Sequence, residues 1–540
     1  MPSITDSRAF NRLLSDLLAG RLTRREVMVR ATALGLSAAS LPTLSTVAAA
    51  STAMQDAATP QPGGILKVGL QADPTALDPH KQSLTAIWHV VEHIYNRLTR
   101  IQPDLTVGPE LAESWDISDD GLVYTFNLRQ GVTFHNGRPM VAEDVVYSFE
   151  RLVDPETAST SAADLASMGK VEAPDELTVV MTLKAPDASL LATLSGQSTI
   201  IIPREVVEEN GDLSQVAVGT GPFIFKEYVP NTRIVLEKNP NYWEEGLPYL
   251  DGMELTPITE DTSRTTALVT GTVDFIEYAP LRDIEVLEQD GSLKLAGDEN
   301  TNVRFIGLNV EREPFNNLQV RQAIAKVIDR EAVLGSAVFG HGTPTEILFP
   351  DNFWAALEHE PTPPDIEGAK ALLAEAGYPD GFETSITSWS AYSFLSNAAV
   401  VVQEQLKQIG IEAELNLVEN ATMVDQVYIA KDFDIAVTGE SAYVDPNTLI
   451  QSNFGTGESG NFVNYSNERV DELIVEGMAA TDQTARQEIY QEIQRILLED
   501  LPWVNLFIAN QFEAMKDDVM GYTHIPTGSN ISLRETWLDR

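Results

Sequence analysis

The spacing of apolar positions changes along the chain, and the changes mark its elements. Ile65-Leu66-Lys67-Val68-Gly69-Leu70 alternates closely enough to predict a strand, and the Asp73-Pro74 and Asp78-Pro79 pairs that follow are turn chemistry. From Thr85 to Arg97 the period lengthens. Ile87, Val90, Val91, Ile94 and Leu98 recur at spacings of three and four, which predicts an amphipathic helix. The same reading places helices at 141–152, 320–333, 367–376, 398–409, 467–478 and 484–498, and strands at 123–128, 178–183, 233–237, 303–309, 411–417 and 433–437. Helices and strands mix without a strict strand–helix–strand rhythm, so the expected class is α/β combined with α+β lobes. No repeat at 20–50 residues and no second long apolar span interrupts this pattern.

Composition narrows the class. A chain of 540 residues with 43% hydrophobic and 7% aromatic content can bury a large core and suggests roughly three domain-sized units. Lys and Arg number 36 against 80 Asp and Glu, a net charge of −44. That sign argues against a cationic phosphate-binding face, hence against nucleic acid, and against adhesion to anionic lipid. With no cysteine there is no disulfide, thiolate metal site, cysteine nucleophile, iron–sulfur cluster or lipid-modified N-terminal Cys.

The N-terminus reads as an export signal. Arg21, Arg24, Arg25 and Arg30 precede the uncharged stretch 31–50, which ends in Ala48-Ala49-Ala50 before Ser51. Thr23-Arg24-Arg25-Glu26-Val27-Met28 resembles a twin-arginine signal, with Val27 where that signal usually carries Phe. Cleavage after Ala50 is expected. Retention as a transmembrane anchor is the alternative, and Pro42 with the many small residues weighs against it.

One string suggests enzyme chemistry. His89-Val90-Val91-Glu92-His93 is an H-x-x-E-H pattern on a helix, which would set two imidazoles on one face as an inverted zinc peptidase requires. The other five histidines are scattered, and a solvated or packing helix is the favoured reading, since an i,i+4 His pair arises readily by chance. Gly455-Thr456-Gly457-Glu458-Ser459-Gly460 matches G-x-G-x-x-G, but an extended stretch rather than a helix follows it, so it reads as a loop. No G-x-S-x-G elbow and no phosphate loop is present. Trp389, Tyr392, Tyr443 and Phe454, near strand ends, are candidates for a ligand surface.

A longer block is more specific. Ala112-Glu113-Ser114-Trp115-Asp116-Ile117-Ser118-Asp119-Asp120-Gly121-Leu122-Val123-Tyr124-Thr125-Phe126-Asn127-Leu128-Arg129 runs on through Gly131-Val132-Thr133-Phe134-His135-Asn136-Gly137-Arg138-Pro139 to Ala142-Glu143-Asp144-Val145-Val146-Tyr147-Ser148. Its physical sense is a hairpin turning at Asp119-Asp120-Gly121, a tight turn at Asn136-Gly137, and a helix with acids in its first turn. The block closely resembles the signature of bacterial extracellular solute-binding protein family 5, the dipeptide-, oligopeptide- and nickel-binding proteins of ABC importers. Gly219-Thr220-Gly221-Pro222-Phe223, Leu236-Glu237-Lys238-Asn239-Pro240-Asn241-Tyr242-Trp243, Gly271-Thr272-Val273-Asp274 and Ala374-Glu375-Ala376-Gly377-Tyr378-Pro379-Asp380-Gly381 follow in the family's order.

The resemblance implies a periplasmic-binding-protein-like fold of type II, two lobes that close on a ligand like a Venus flytrap, with an extra subdomain inserted in the first lobe. After the signal peptide at 1–50 and the linker at 51–62 that the residues themselves predict, it implies lobe I from 63–82, 219–300 and 506–540, the inserted subdomain at 83–218, and lobe II at 301–505. The implied role is capture of short peptides outside the cytoplasm and delivery to membrane permease subunits, by a monomer without catalysis, cofactor or metal. The same scaffold carries oligosaccharides and metal chelates, and a zinc peptidase using His89 and His93 is the distant alternative. In peptide-binding members an Asp preceded by Trp accepts the ligand ammonium. Here Glu440 falls at that place without the Trp, and Asp445 follows in a longer loop, so Glu440 and Asp445, with Tyr443, Trp389, Tyr392 and Phe454, are the expected ligand contacts.

Overall fold

The structure, a computed structural model, describes residues 59–81, 84–440 and 443–540, and its folded body is Pro62–Arg540. The expected signal at 1–50, with Arg24 and Arg25, and the first part of the linker lie outside the described residues. One mixed sheet runs through the body. Its strands lie in the order Ile411–Val418, Phe382–Trp389, Ile435–Gly439, Leu293–Leu308, Trp503–Lys516, Phe275–Ile276, Ile65–Leu70, Gly252–Pro257, Arg233–Lys238 and Phe223–Val229, with Gly342–Pro344 added alongside Trp503–Lys516.

Pairing divides this sheet into two halves. Phe382–Trp389 pairs in parallel with both Ile411–Val418 and Ile435–Gly439, and Ile65–Leu70 pairs in parallel with both Gly252–Pro257 and Phe275–Ile276. The halves are joined by the antiparallel ladder of Leu293–Leu308 on Trp503–Lys516, which runs from Leu293 opposite Lys516 to Gly307 opposite Trp503. Its register slips between Glu299 and Val303, so Asn300, Thr301 and Asn302 are released from the ladder at its middle. Asn300 and Thr301 are nonetheless buried, and their side chains take over the hydrogen bonding that the ladder gives up, Asn300 accepting from the Asn302 N–H at 2.7 Å and Thr301 from the Tyr443 N–H at 3.0 Å.

Each half has its own core. Ile306, Leu308, Ile386, Ile435 and Val437 are packed by helices on one face of the first half, and Phe305, Phe433 and Ala436 by a second cluster on the other. There Phe305 stacks on Trp503 with centroids 3.6 Å apart. Leu66, Val68, Met253, Leu255 and Phe275 centre the core of the second half. A separate four-stranded antiparallel sheet, ordered Ala112–Ile117, Val123–Leu128, Thr178–Leu183, Met168–Asp175, packs against helix Ala142–Val153. That helix buries Ala142, Val145, Val146, Phe149 and Leu152, one stripe at helical spacing, and Asp144 in its first turn accepts from the Val141 N–H at 2.9 Å. The expected hairpin at Asp119-Asp120-Gly121 and the turn at Asn136-Gly137 are both formed.

Three elements differ from the sequence reading. The helix expected over 85–97 is Thr85–Val91, because the amides of Gly221 and Phe223 take the carbonyls of Ile94 and His93, at 2.8 and 3.0 Å, and end the helical hydrogen bonding there. The helix expected over 320–333 is two, Leu318–Val327 and Arg330–Val338, broken where Asp329 caps the second through the Ala332 N–H. Gln405 holds that break, accepting from the Asp329 N–H and donating to its carbonyl, both at 3.1 Å. The strand expected over 303–309 starts ten residues earlier, at Leu293, where pairing with Trp503–Lys516 overrides a weakly apolar stretch.

Candidate functional site

A cavity of about 910 Å³ opens between the two halves of the body. One wall is helix Thr85–Val91 and the turn after it, with Trp88, His89, Glu92 and Arg97, backed by Tyr278 and by Ser529 near the C-terminus. The facing wall is Asn302, from the irregular stretch of the crossing strand, and Tyr443, Asp445, Asn447 and Gln451, from the start of helix Pro446–Phe454. At the rim the Ala188 N–H donates to the Met478 carbonyl at 2.9 Å, joining the loop after strand Thr178–Leu183 to the end of helix Glu468–Ala479.

The first wall is held by backbone contact. A side chain at Gly219 or Gly221 would place its Cβ 2.1 or 2.6 Å from the Ile94 carbonyl oxygen, so only glycine lets the two segments meet. Asn96 then donates to Glu110 at 2.8 Å and accepts from Thr220 and Trp243, and the Arg97 amide donates to Glu110 at 2.8 Å. The backbone around residue 97 is fixed. The Arg97 side chain is 4% exposed and has no hydrogen bond or ion pair with the described residues.

His89 is doubly engaged. Nδ1 meets the Glu277 carboxylate and Nε2 the Gly528 carbonyl at 3.0 Å, two acceptors that both require a ring N–H. Burial pulls its pKa down, but Glu277, with Glu92 beyond, outweighs burial and raises it to about 9, so the ring is an imidazolium at neutral pH. Glu92 accepts from Ser529 Oγ at 2.5 Å and the Asn530 N–H at 2.8 Å, which ties the helix to the C-terminal loop. His93 turns elsewhere. It is buried against Phe223, neither ring nitrogen has a partner, and burial lowers its pKa to about 3. The two imidazoles of the H-x-x-E-H string therefore do not converge, and no group of three His, Asp or Glu able to hold a metal occurs among the described residues.

Of the six side chains expected to contact ligand, Tyr443 and Asp445 reach the cavity wall. Asp445 caps helix Pro446–Phe454 through the Asn447 N–H at 2.9 Å, and its carboxylate is gripped by Arg486. Burial pushes that carboxyl up against the pull of Arg486. Glu440 stands behind Tyr443, accepting its hydroxyl at 2.8 Å, while Arg304 donates to the Glu440 carbonyl at 2.9 Å. Trp389 donates to Thr438 at 3.0 Å and meets Tyr392 edge-on at 5.7 Å, and neither ring lines the cavity. Phe454 is fully buried, 4.5 Å from Trp503. The loop 455–460 is followed by a turn rather than the expected extended stretch, with the Asn464 N–H donating to the Asn461 carbonyl at 3.3 Å and Asn464 at φ 59°, and no helix begins before Glu468.

Sequence reasoning missed Trp88, Arg97, Asn302 and Gln451. Arg97 had a legible signal, since no acid stands three or four residues to either side of it to pair with it along a helix. Asn302 had one too, in the polar break Asn300-Thr301-Asn302 within a strand.

Residues 106–461 match the family described as bacterial extracellular solute-binding proteins, family 5. The glutathione-binding protein GsiB of Salmonella paratyphi A is 30% identical over 463 residues, 84% of this chain and 90% of that one. The structure of AgaA from A. tumefaciens R10, in complex with agropinic acid, superposes with a TM-score of 0.76 at 32% identity, covering 88% of this chain and 99% of AgaA. DppA from Helicobacter pylori, in complex with the peptide STSA, gives 0.76 at 28% identity over 89% of this chain and 99% of DppA.

Proposed function

Since this chain belongs to the bacterial extracellular solute-binding proteins of family 5, we propose that it captures short peptides in its cavity and hands them to the permease of an ABC importer. The observation that carries this reading is the cavity itself. At about 910 Å³ it lies at the upper end of small-molecule pockets, and its walls come from elements packed on opposite halves of the sheet together with residues between 161 and 198. The relatives that bind glutathione and the peptide STSA support the peptide class.

In this reading segments 63–82, 219–300 and 506–540 form one lobe, 83–218 a subdomain inserted in it, and 301–505 the other lobe. A ligand that touches both walls binds the closed arrangement better than the open one and shifts the population toward it, and the closed shape is what the permease recognises. No bond is made or broken. The protein acts outside the cytoplasmic membrane as a monomer.

The test is mass spectrometry of the solute that co-purifies, followed by thermal shift with peptide, sugar and metal-chelate panels. A peptide at 100 times its dissociation constant stabilises by about 2.7 kcal/mol. Stabilisation by sugars or chelates alone would overturn the peptide reading. The agropinic acid complex of AgaA favours a second reading, a non-peptide organic acid in the same cavity.

A further inference from the structure

We propose that Arg97 anchors a carboxylate of the bound solute, so that the cavity selects ligands with an anionic end and orients that end against the wall of helix Thr85–Val91. The inference rests on the reading of this cavity as the solute site.

The argument is one of charge compensation. Four other charged side chains are buried in the walls, and each is answered from within the protein. His89 has Glu277 and the Gly528 carbonyl. Glu92 has Ser529 and the Asn530 amide. Asp187 accepts from the backbone and hydroxyl of Ser189, at 3.0 and 2.5 Å, and Asp445 has Arg486. Arg97 is the exception. It is 4% exposed, its Nε is dry and without an acceptor, and neither terminal nitrogen makes a hydrogen bond or ion pair with any described residue.

A guanidinium taken out of water and left unpaired costs several kcal/mol. It is tolerable where it borders a cavity that water or a ligand fills. Its planar fork matches a carboxylate in bidentate fashion, and the pair gains as closing lobes exclude water. Trp88 Nε1, on the same wall, is a second buried donor without an acceptor. The wall therefore offers donors to an incoming group. Of the acids on the facing side, Asp445 is engaged by Arg486 and Glu440, behind the wall, by Tyr443, while Glu458 in the same lining is exposed to water. The charge this cavity reads is negative.

The experiment is calorimetric titration of the exported protein, freed of co-purifying solute, with glutathione, trialanine and trialanine amide, in wild type, Arg97→Gln and Arg97→Lys. The wild type should bind at least one free acid, and trialanine amide about 30-fold or more weaker than trialanine if that peptide is accepted. Arg97→Gln should lose the same factor for acids and no longer distinguish acid from amide, whereas Arg97→Lys should keep part of the preference. Without ligand, Arg97→Gln should melt no lower than wild type, because it removes an uncompensated buried charge. Equal binding of acid and amide by wild type overturns the assignment and leaves the peptide reading intact. A ligand-free melting point lowered in both variants also overturns it, since Arg97 would then have a partner within the protein. If no peptide binds, the co-purified solute decides. A carboxylic acid lost from Arg97→Gln upholds Arg97 and removes the peptide reading, and a solute without an acid group, or none at all, removes both.

Discussion

The guanidinium of Arg486 donates to both carboxylate oxygens of Asp445, at 2.9 and 2.8 Å, within the cavity wall. Arg486 also donates to the Tyr490 hydroxyl and the Gly477 carbonyl and lies over the Trp354 ring. A ligand ammonium would have to compete with this fork for Asp445. The pair holds the first turn of helix Pro446–Phe454 against helix Gln483–Asp500, which makes it a wall-building device.

Breaking that pair from one side should be costly. Asp445→Ala leaves the Arg486 charge buried and unanswered, and urea unfolding should show a loss of about 3–5 kcal/mol. Asp445→Ala combined with Arg486→Met should recover part of it. A single variant as stable as wild type would show that the pair contributes nothing.

Stability should peak near pH 6.5. His80 and His93 are kept neutral by burial, with pKa values lowered from 6.5 to about 4 and about 3. Below pH 6.5 the unfolded chain binds protons that the folded one does not, so stability falls by up to about 1.4 kcal/mol per pH unit for each ring. His89 acts in the opposite sense. Its folded value, about 9, lies above the unfolded 6.5, so its contribution is complete below pH 6.5 and is lost as pH rises through 9. Urea unfolding from pH 5 to 9 should show both slopes, with His93→Phe flattening the acid side and His89→Gln the alkaline side. Unchanged slopes in these variants would refute the assignment.

Two glycine replacements should move in opposite directions. Gly221→Ala drives a Cβ to 2.5 Å from the Ile94 carbonyl carbon and should destabilise by about 1–3 kcal/mol while weakening ligand binding through the displaced turn. Gly335→Ala, in helix Arg330–Val338 with no atom within 4 Å, should stabilise by about 0.5–1 kcal/mol. Equal effects at the two sites would show that close approach at Gly221 is not what requires glycine.

Replacing Arg24 and Arg25 together by Lys should abolish export, followed by fractionation of cells expressing the full chain. Normal export of the double variant would exclude the twin-arginine route.

Local pattern was enough where an element is specified by its own residues. Strands Val123–Leu128 and Thr178–Leu183 fall where alternation places them, and the cap of the Ala142–Val153 helix is visible in its acids. It failed where a distant segment decides. The helix at 85 stops short because Gly221 and Phe223 claim its carbonyls, and the strand from Leu293 exists because Trp503–Lys516 pairs with it. The site divides in the same way. Tyr443 and Asp445 stand out in the sequence and line the cavity, but Asp445 is answered by an arginine 41 residues away, a distance at which charge pairing leaves no periodic trace. Arg97 shows the converse, since its local lack of an acid was legible, whereas its burial beside a cavity was not.

The ladder of Leu293–Leu308 on Trp503–Lys516 also fixes when this protein can finish folding. Its partners lie roughly 200 residues apart in the chain, and strand Phe275–Ile276, which links Ile65–Leu70 to the rest of the sheet, pairs with Met515 and Ala514. A ribosome that has made the first 500 residues has therefore made both edges of the sheet but not Trp503–Lys516, the strand on which Leu293–Leu308 and Phe275–Ile276 both pair, and closing so long a loop is the step a high-contact-order topology pays for in time. The nascent chain emerges as pieces, and the last few dozen residues turn them into one body.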